Sequence, residues 1–263
     1  MRRITAFKGE KIEQTMNAAI DLGNTFAKIG WFENDELQEA YYKIPLDSLE
    51  DALTKRLPQQ AIVSSTSHDT QHYANLLQNV GVQVVQLSST LPLPIGKDYG
   101  TPQTLGADRL AAAVGAKVLF PKENCLVIDM GTCVTYDWVS IEGVFQGGVI
   151  SPGLRMRFQA MHTFTKRLPF IEVIADQSFS WPELLGKSTY AAMKSGAFNG
   201  LLAEIGGFIK RYQQELGECQ VLLCGGDAPL FENSLKSRIF AAPNLVLVGL
   251  NRILQYNINI KNA

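Results

Sequence analysis

Short apolar runs separated by turn residues predict a set of strands in the first half of the chain. Five runs have the length and side-chain pattern of strands: 17–20, 26–32, 37–44, 61–63 and 82–87. A helix capped by Asp47 and running to Leu57 is expected between the third and fourth. Another helix is expected from Asp69, because Tyr73, Leu76 and Leu77 share one helical face.

The second half repeats this order of elements. Four further runs predict strands: 124–129, 133–139, 143–150 and 221–224. Pro152-Gly153 ends the third strand and predicts the start of a helix that runs to about 167. A long apolar stripe predicts another helix over 189–216, and a helix, a strand and a final helix are expected after 227. A Pro-, Gly- and Thr-rich loop at 91–103 and a helix at 104–119 join the halves. The pattern therefore predicts an α/β architecture of two lobes.

The lobes are expected to cover residues 16–112 and 113–263. Residues 1–15 carry charges without a clear apolar period, and Met16 directly precedes the first strand. They also lack the apolar stretch of a secretory signal. We therefore expect residues 1–15 to be an extension outside the fold.

The same short phrase opens both halves and carries the strongest chemical signal. The first copy reads A-I-D-L-G-N-T at 19–25, and the second reads V-I-D-M-G-T-C at 127–133. In each, an aspartate and a glycine with a small polar neighbour follow an apolar strand. Glycine allows close backbone approach, amides and hydroxyls donate hydrogen bonds, and the carboxylate holds a cation or its waters. The duplication predicts a nucleotide held between two lobes.

Composition and charge narrow the class of protein. The chain has 263 residues, 46% of them hydrophobic, and a formal net charge of −1, which is typical of a globular protein without a nucleic-acid partner. No apolar run approaches the length of a membrane span, so no membrane association is expected. The four cysteines form no CxxC pair, and free thiols in apolar strands suit a reducing cytoplasm.

Asp108 lies at the start of the predicted joining helix, in the phrase G-A-D-R at 106–109. One interpretation is that its carboxylate complements the helix dipole, an effect of about 0.3–1 kcal/mol. The other is that it accepts the proton of a substrate hydroxyl during phosphoryl transfer. Arg109 is either a surface charge or a fork for a substrate carboxylate. Spacing alone favours the first interpretation in each case.

The remaining candidate sites are less specific. Glycine-rich turns at 147–153 and 225–227 present backbone amides to an anion or allow tight packing. His68 and His72 have helical spacing but no further ligands, so a solvated helix face is expected there. The nucleophile-elbow, P-loop and dinucleotide-binding patterns are absent from the sequence.

Taken together, the ordered phrases resemble the type III pantothenate kinases, members of the acetate kinase, sugar kinase, heat-shock ATPase and actin superfamily. The matching segments are 21–28, 99–109, 129–137, 147–153, 165–169, 186–189 and 225–228. The resemblance implies a duplicated ribonuclease H-like (actin-like ATPase) fold with mixed sheets flanked by helices. It also implies that ATP phosphorylates the primary alcohol of pantothenate, the opening step of coenzyme A biosynthesis.

The resemblance also assigns roles to individual residues. Asp108 is implied as the proton acceptor, Asp21 as a contact to magnesium, and Asp129 as the ligand of a monovalent cation, potassium or ammonium. The residues implied to bind ATP are Asp21, Leu22, Gly23, Asn24, Thr25, Phe26, Ala27, Lys28 and Thr132. The residues implied to bind pantothenate are Tyr99, Gly106, Ala107, Asp108, Arg109 and Thr189.

The resemblance further implies a homodimer, with the helix from Thr189 as an interface element. Two other functions stay open. One is a kinase of the same superfamily acting on a sugar or a carboxylate, against which Tyr99 and the G-A-D-R phrase argue. The other is a catalytically silent relative that regulates by binding, against which the retained Asp21, Asp108 and Asp129 argue. A heat-shock-type ATPase would need a peptide-binding domain in addition to the two lobes.

Overall fold

The first of two mixed β-sheets is built from the N-terminal part of the chain. The computed structural model describes residues 16–23, 26–33, 35–65, 69–173, 179–235 and 238–262. The strands of this sheet are β1 (Met16–Leu22), β2 (Phe26–Glu33), β3 (Glu36–Pro45), β4 (Gln60–Ser65) and β5 (Gln83–Gln86). Their spatial order is β3-β2-β1-β4-β5, with β1 antiparallel to β2 and parallel to β4.

The second sheet repeats the topology of the first. Its strands are β6 (Gly96–Lys97), β7 (Cys125–Met130), β8 (Cys133–Val139), β9 (Val144–Pro152), β10 (Gln220–Cys224) and β11 (Phe240–Ala241). The order is β11-β10-β7-β8-β9-β6, so β7 to β11 correspond one by one to β1 to β5. The pairing directions also correspond, because β7 is antiparallel to β8 and parallel to β10. The predicted duplication is confirmed.

Six helices flank the sheets in the described part of the chain. They are α1 (Leu49–Thr54), α2 (Gln71–Asn79), α3 (Ala107–Leu119), α4 (Leu154–Thr163), α5 (Thr189–Leu216) and α6 (Leu245–Asn262). The helices α3 and α6 pack against each other between the two sheets, and their apolar residues form the largest buried cluster. No described helix has both the length and the apolar character needed to cross a bilayer.

Two glycines let α3 and α6 approach closely. A Cβ atom on Gly249 would lie 1.8 Å from the carbonyl oxygen of Ala111, and one on Gly115 would lie 2.3 Å from the carbonyl oxygen of Leu245. Neither position has room for a side chain. Glycine at both positions therefore allows α3 and α6 to pack closely between the two sheets.

Several predicted boundaries are wrong in detail. Asp47 does not cap a helix, because it lies inside a 3₁₀ turn, Leu46–Ser48, that precedes α1. The helix predicted to run to 167 ends at Thr163 as α4. Two 3₁₀ turns, rather than a helix, follow residue 227. The predicted loop 91–103 also contains β6, which extends the second sheet.

The expected lobe boundary and the N-terminal extension stay predictions. The expected boundary at 112/113 falls inside α3, and α6 from the second half packs on β1 of the first. The proposed extension at 1–15, together with Asn24, Thr25 and His68, lies outside the described residues.

Candidate active site

The two aspartates of the repeated phrase occupy matching positions in the two sheets. Asp21 is the second-to-last residue of β1, and Asp129 is the second-to-last residue of β7. A glycine closes each turn that follows. The Gly23 N–H donates to the carbonyl oxygen of Phe26 at 3.1 Å, and the Gly131 N–H donates to that of Cys133 at 3.0 Å. The repeated sequence therefore folds into a repeated structure.

Both aspartates project from the faces of the sheets that turn toward α3 and α6. Ala19 on β1 and Val127 on β7 belong to the cluster that contains these helices. Because side chains alternate along a strand, Asp21 and Asp129 lie on the same faces as Ala19 and Val127. The two carboxylates thus approach one cleft from opposite lobes.

Lys28 lies beside Asp21 on the neighbouring strand. The two residues are register partners in the β1–β2 pair, and the Lys28 Nζ is 3.8 Å from the Asp21 Oδ2. The ammonium is more than one-third exposed, whereas the carboxylate is nearly buried. Burial raises the pKa of Asp21 to about 6, against the opposing effect of Lys28 and with a further increase from Asp108.

The same groups act on Asp129. Burial raises the pKa of Asp129 to about 6, Lys28 lowers it, and the carboxylates of Asp108 and Asp21 raise it further. Asp21, Asp108 and Asp129 therefore lie close enough to repel one another, with Lys28 nearby as a compensating charge. The structure brings together the three acids that the sequence singled out.

Asp108 lies in the first turn of α3, as predicted. Its Oδ1 accepts a hydrogen bond from the backbone N–H of Arg109 at 2.8 Å. Gly106 precedes the helix, and a Cβ there would lie 2.5 Å from that same oxygen. The absence of a side chain at Gly106 thus makes room for the carboxylate. This position is compatible both with the helix-dipole role and with a carboxylate facing the cleft.

Arg109 is paired with a residue that the sequence reasoning did not single out. Its Nε donates to both carboxylate oxygens of Asp137 on β8, at 3.0 and 3.1 Å, and its Nη2 also bonds to Oδ1. Both side chains are buried. Burial opposes the charge on Arg109, but Asp137 and Tyr99 outweigh it and raise the pKa of the guanidinium. The only sequence signal for Asp137 was its place at the end of the phrase 129–137.

The other residues of the first phrase are divided between the core and the surface. Leu22 and Ala27 are fully buried in the core of the first lobe, so only their backbone is available to a ligand. Phe26 is exposed. Gly23 lies in the turn itself.

In the second half, Thr132 is exposed in the turn between β7 and β8, where its carbonyl oxygen accepts the N–H of Gly153 at 3.1 Å. Thr189 is the exposed first residue of α5. Within the described residues, no hydrogen bond, ion pair or ring contact joins Thr189 to the acidic cluster. The described interactions therefore connect Asp21, Lys28, Asp108 and Asp129 and do not include Thr189.

The acidic side chains of the cleft do not form a complete metal site by themselves. Among the described ranges, no group of three or more His, Cys, Asp or Glu side chains could enclose an ion. Ser64 is the register partner of Asp21 on β4, and its buried Oγ has no hydrogen-bond partner among the described residues. A hydrated cation fits such a set, because Mg²⁺ keeps several waters and needs only one or two carboxylates together with substrate phosphates.

Solved structures of similar shape define the class of the fold. A Baf family transcriptional activator from Campylobacter jejuni aligns with a TM-score of 0.60 at 20% identity, over 92% of this chain and 99% of that one. A ROK family glucokinase from Streptomyces griseus, solved with glucose and AMPPNP, aligns with a TM-score of 0.51 at 11% identity, over 92% and 99%. These likenesses show the fold, which is the two-lobed, ribonuclease H-like architecture of sugar kinases and actin-like ATPases.

Sequence similarity identifies the family within this class. The family model for type III pantothenate kinase matches residues 18–211. The type III pantothenate kinase of Cytophaga hutchinsonii is 44% identical over 243 residues, covering 92% of this chain and all of that protein. That of Phocaeicola vulgatus is 42% identical over 245 residues, covering 92% and 99%. The chain belongs to the type III pantothenate kinase family, and the resemblance noted in the sequence is confirmed.

Proposed function

We propose that this protein transfers the γ-phosphoryl group of ATP to the primary alcohol of pantothenate, forming 4'-phosphopantothenate in the first step of coenzyme A biosynthesis. The observation that carries the proposal is the convergence of Asp21, Asp108 and Asp129, with Lys28, on one cleft between duplicated lobes. Phosphoryl transfer depends mainly on positioning and on electrostatic stabilisation, and such a cleft supplies both.

Each acid has a separate proposed role. Asp108 accepts the proton of the pantothenate hydroxyl as the oxygen attacks the phosphorus atom. Lys28 places a positive charge at the phosphates. Asp21 holds magnesium, directly or through its waters, and Asp129 holds a monovalent cation, potassium or ammonium. Magnesium, when bound, spreads the negative charge that develops on the phosphoryl oxygens.

The charge balance of the cleft supports the need for cations. Three carboxylates face a triphosphate across the cleft, with Lys28 as the nearby positive side chain. Without further positive charge, the protein would repel its substrate. Burial raises the pKa of both Asp21 and Asp129, which supports the proposal that a positive charge beside them is needed to keep both carboxylates ionised. Bound cations would compensate both the carboxylates and the phosphates.

Pantothenate is proposed to lie at the start of α3, against Tyr99 and the residues 106–109. Arg109 donates from Nε and Nη2 to Asp137 and also interacts with Tyr99, so a direct contact with substrate would use one of the remaining N–H groups of the guanidinium. Thr132 is a further proposed contact to ATP. Thr189 is proposed to contact pantothenate only in the assembled dimer, since no described contact links it to the acids within one chain.

We further propose that the protein is a homodimer and works in the cytoplasm. Large apolar side chains are exposed before and at the start of α5: Phe164 (86% exposed), Leu184 (77%), Leu185 (77%) and Tyr190 (52%). Such residues are typical of a protein–protein contact. Sedimentation of the wild type and of a Leu184→Glu, Leu185→Glu variant tests this. We expect the wild type to be a dimer and the variant to be a monomer. A monomeric wild type would refute the proposal.

A coupled ADP-release assay with a panel of acceptors tests the activity itself. The purified protein is given ATP and magnesium with pantothenate, glucose, acetate or no acceptor, each with and without potassium. We expect ADP release that requires both pantothenate and potassium. Equal or greater release with glucose or acetate would indicate another kinase of the superfamily. ATP binding without release on any acceptor would indicate a regulatory binding protein.

A further inference from the structure

The buried ion pair between Arg109 and Asp137 links the first turn of α3 to the middle of the second sheet. Arg109 is 7% exposed and Asp137 is 1% exposed. The guanidinium lies over the ring of Phe145, with its Cζ 5.5 Å from the centroid, and over that of Tyr99, at 5.8 Å. The charged group is thus held by hydrogen bonds on one edge and by two aromatic rings.

A glycine on the neighbouring strand makes room for the Asp137 carboxylate. A Cβ on Gly148, the register partner of Asp137 on β9, would lie 2.4 Å from the Asp137 Oδ1 and 2.2 Å from the carbonyl oxygen of Tyr136. The carboxylate therefore occupies the space that a side chain at 148 would need. Glycine at 148 therefore allows the Asp137 carboxylate to take this position, in which it pairs with the guanidinium of Arg109.

Stability alone is a poor explanation for this pair. The free energy that two buried charges gain from their attraction is largely offset by the cost of removing them from water. Well-packed apolar residues of similar volume often give a protein of equal stability. The location offers another explanation, because Arg109 directly follows Asp108 in the chain. The carboxylates of Asp108 and Asp137 are close enough to interact, as are those of Asp137 and Asp129. A free guanidinium here would have the carboxylate of Asp108 to pair with.

We propose that Asp137 is a positioning residue for phosphoryl transfer. By holding the Arg109 guanidinium between Tyr99 and Phe145, it fixes the first turn of α3 so that Asp108 faces the cleft. It also keeps Arg109 from pairing with the adjacent Asp108. Asp137 itself touches neither the nucleotide nor the alcohol. The part of this inference that concerns turnover rests on the function proposed above, whereas the part that concerns the geometry of α3 does not.

The Asp137→Asn variant tests both parts. The amide has the same shape but cannot accept hydrogen bonds on both atoms, and it has no charge to retain the guanidinium. We expect kcat to fall at least tenfold, with the KM for ATP changed less than threefold. The control is Glu204→Gln. Glu204 on α5 forms a half-buried ion pair with Arg157 on α4, in which the Glu204 Oε2 is 2.6 Å from the Arg157 Nη2. This control is expected to keep kcat within twofold.

Hydrogen–deuterium exchange of the ligand-free proteins gives a readout that does not need activity. In Asp137→Asn, we expect faster exchange in peptides covering 99–110 and unchanged exchange over 113–119. Uniformly faster exchange in both lobes, or normal kcat in the folded variant, would overturn the inference. A raised KM for pantothenate with normal kcat would also overturn it, because that result indicates a binding role.

If Asp137→Asn does not fold, the double variant Arg109→Met, Asp137→Leu replaces the pair by apolar side chains of similar size. We then expect a folded protein whose peptides over 99–110 still exchange faster. Wild-type exchange over those residues would contradict the positioning role. A wild-type protein that fails to phosphorylate pantothenate would refute the proposed function, while the exchange result would still decide the positioning role.

Discussion

Replacing Asp21 by asparagine is expected to stabilise the ligand-free protein at neutral pH, even though the change removes a residue of the proposed active site. The Asp21 carboxylate is nearly buried, and its ammonium neighbour, Lys28, is 3.8 Å away and partly exposed. Burial dominates, and it raises the pKa of Asp21 from 3.8 to about 6. The folded state therefore holds a proton more tightly than the unfolded state does.

The size of the effect follows from that difference in pKa. Each unit corresponds to about 1.4 kcal/mol, so the ionised carboxylate costs the folded state about 3 kcal/mol at a pH well above 6. Asparagine has no charge to desolvate, but its amide also needs hydrogen-bond partners. The unpartnered Oγ of the adjacent Ser64 is available as one. We expect a net gain of about 2 kcal/mol, or roughly 4–8 °C in Tm for a chain of this size.

The same difference in pKa determines how the effect of Asp21→Asn on stability varies with pH. Since the folded-state pKa is the higher one, the wild type gains stability as the pH falls from about 7 toward 4 and Asp21 becomes protonated in the folded state. The Tm advantage of Asp21→Asn should therefore be largest at pH 7.5 and should disappear near pH 4.

Thermal unfolding without nucleotide or magnesium, recorded from pH 4 to pH 8, measures this directly. Asp35→Asn is the matched control, because Asp35 is exposed in the turn between β2 and β3 and should change stability by less than about 0.5 kcal/mol. A lower Tm for Asp21→Asn at pH 7.5, or a difference that does not vary with pH, would show that burial of the Asp21 carboxylate does not destabilise the folded state.

Three further predictions follow from the site and the fold. Asp108→Asn should abolish turnover while the affinity for ATP, measured by titration calorimetry, stays within a few fold; near-normal turnover would reject the proton-acceptor role. Asp129→Ala should lose most activity and its dependence on potassium or ammonium in the ADP-release assay, and an unchanged cation response would reject that role. Gly249→Ala should cost about 1–3 kcal/mol in urea unfolding, because its Cβ would meet the Ala111 carbonyl oxygen at 1.8 Å. Gly207→Ala on α5, with no atom within 4 Å, should instead be neutral or stabilising.

The sequence predicted the order of elements well because both halves obey the same simple pattern. The apolar runs on each side of Asp21 and Asp129 correspond to β1, β2, β7 and β8, and the repeated phrase indicated their common role. Local periodicity and duplication carry this information within the chain itself. The family resemblance also implied an active-site role for Asp108, whereas spacing alone favoured the helix-dipole interpretation.

Features that depend on packing were not predictable in this way. The sequence predicted that the helix continues through residues 164–167, but all four side chains are exposed. No burial therefore offsets the loss of conformational entropy that extending α4 beyond Thr163 would cost. Asp47 resembles a helix cap, yet the 3₁₀ turn after Pro45 places it before α1.

The pairing of Arg109 with Asp137 joins residues on α3 and β8 that no local spacing relates. The sequence left open whether Arg109 is a surface charge or a substrate fork. Its burial against Phe145 and Tyr99 could be seen only after the strands were assembled.

A single-turnover experiment with ATP, magnesium, potassium and pantothenate, in which the products are separated and identified by mass spectrometry, tests the proposed phosphoryl transfer. We predict that the wild type converts pantothenate to a product heavier by one phosphoryl group, in amounts equal to the ADP formed, and that Asp108→Asn binds ATP but forms neither product. ADP formation without phosphorylated pantothenate, or undiminished transfer by Asp108→Asn, would contradict the account.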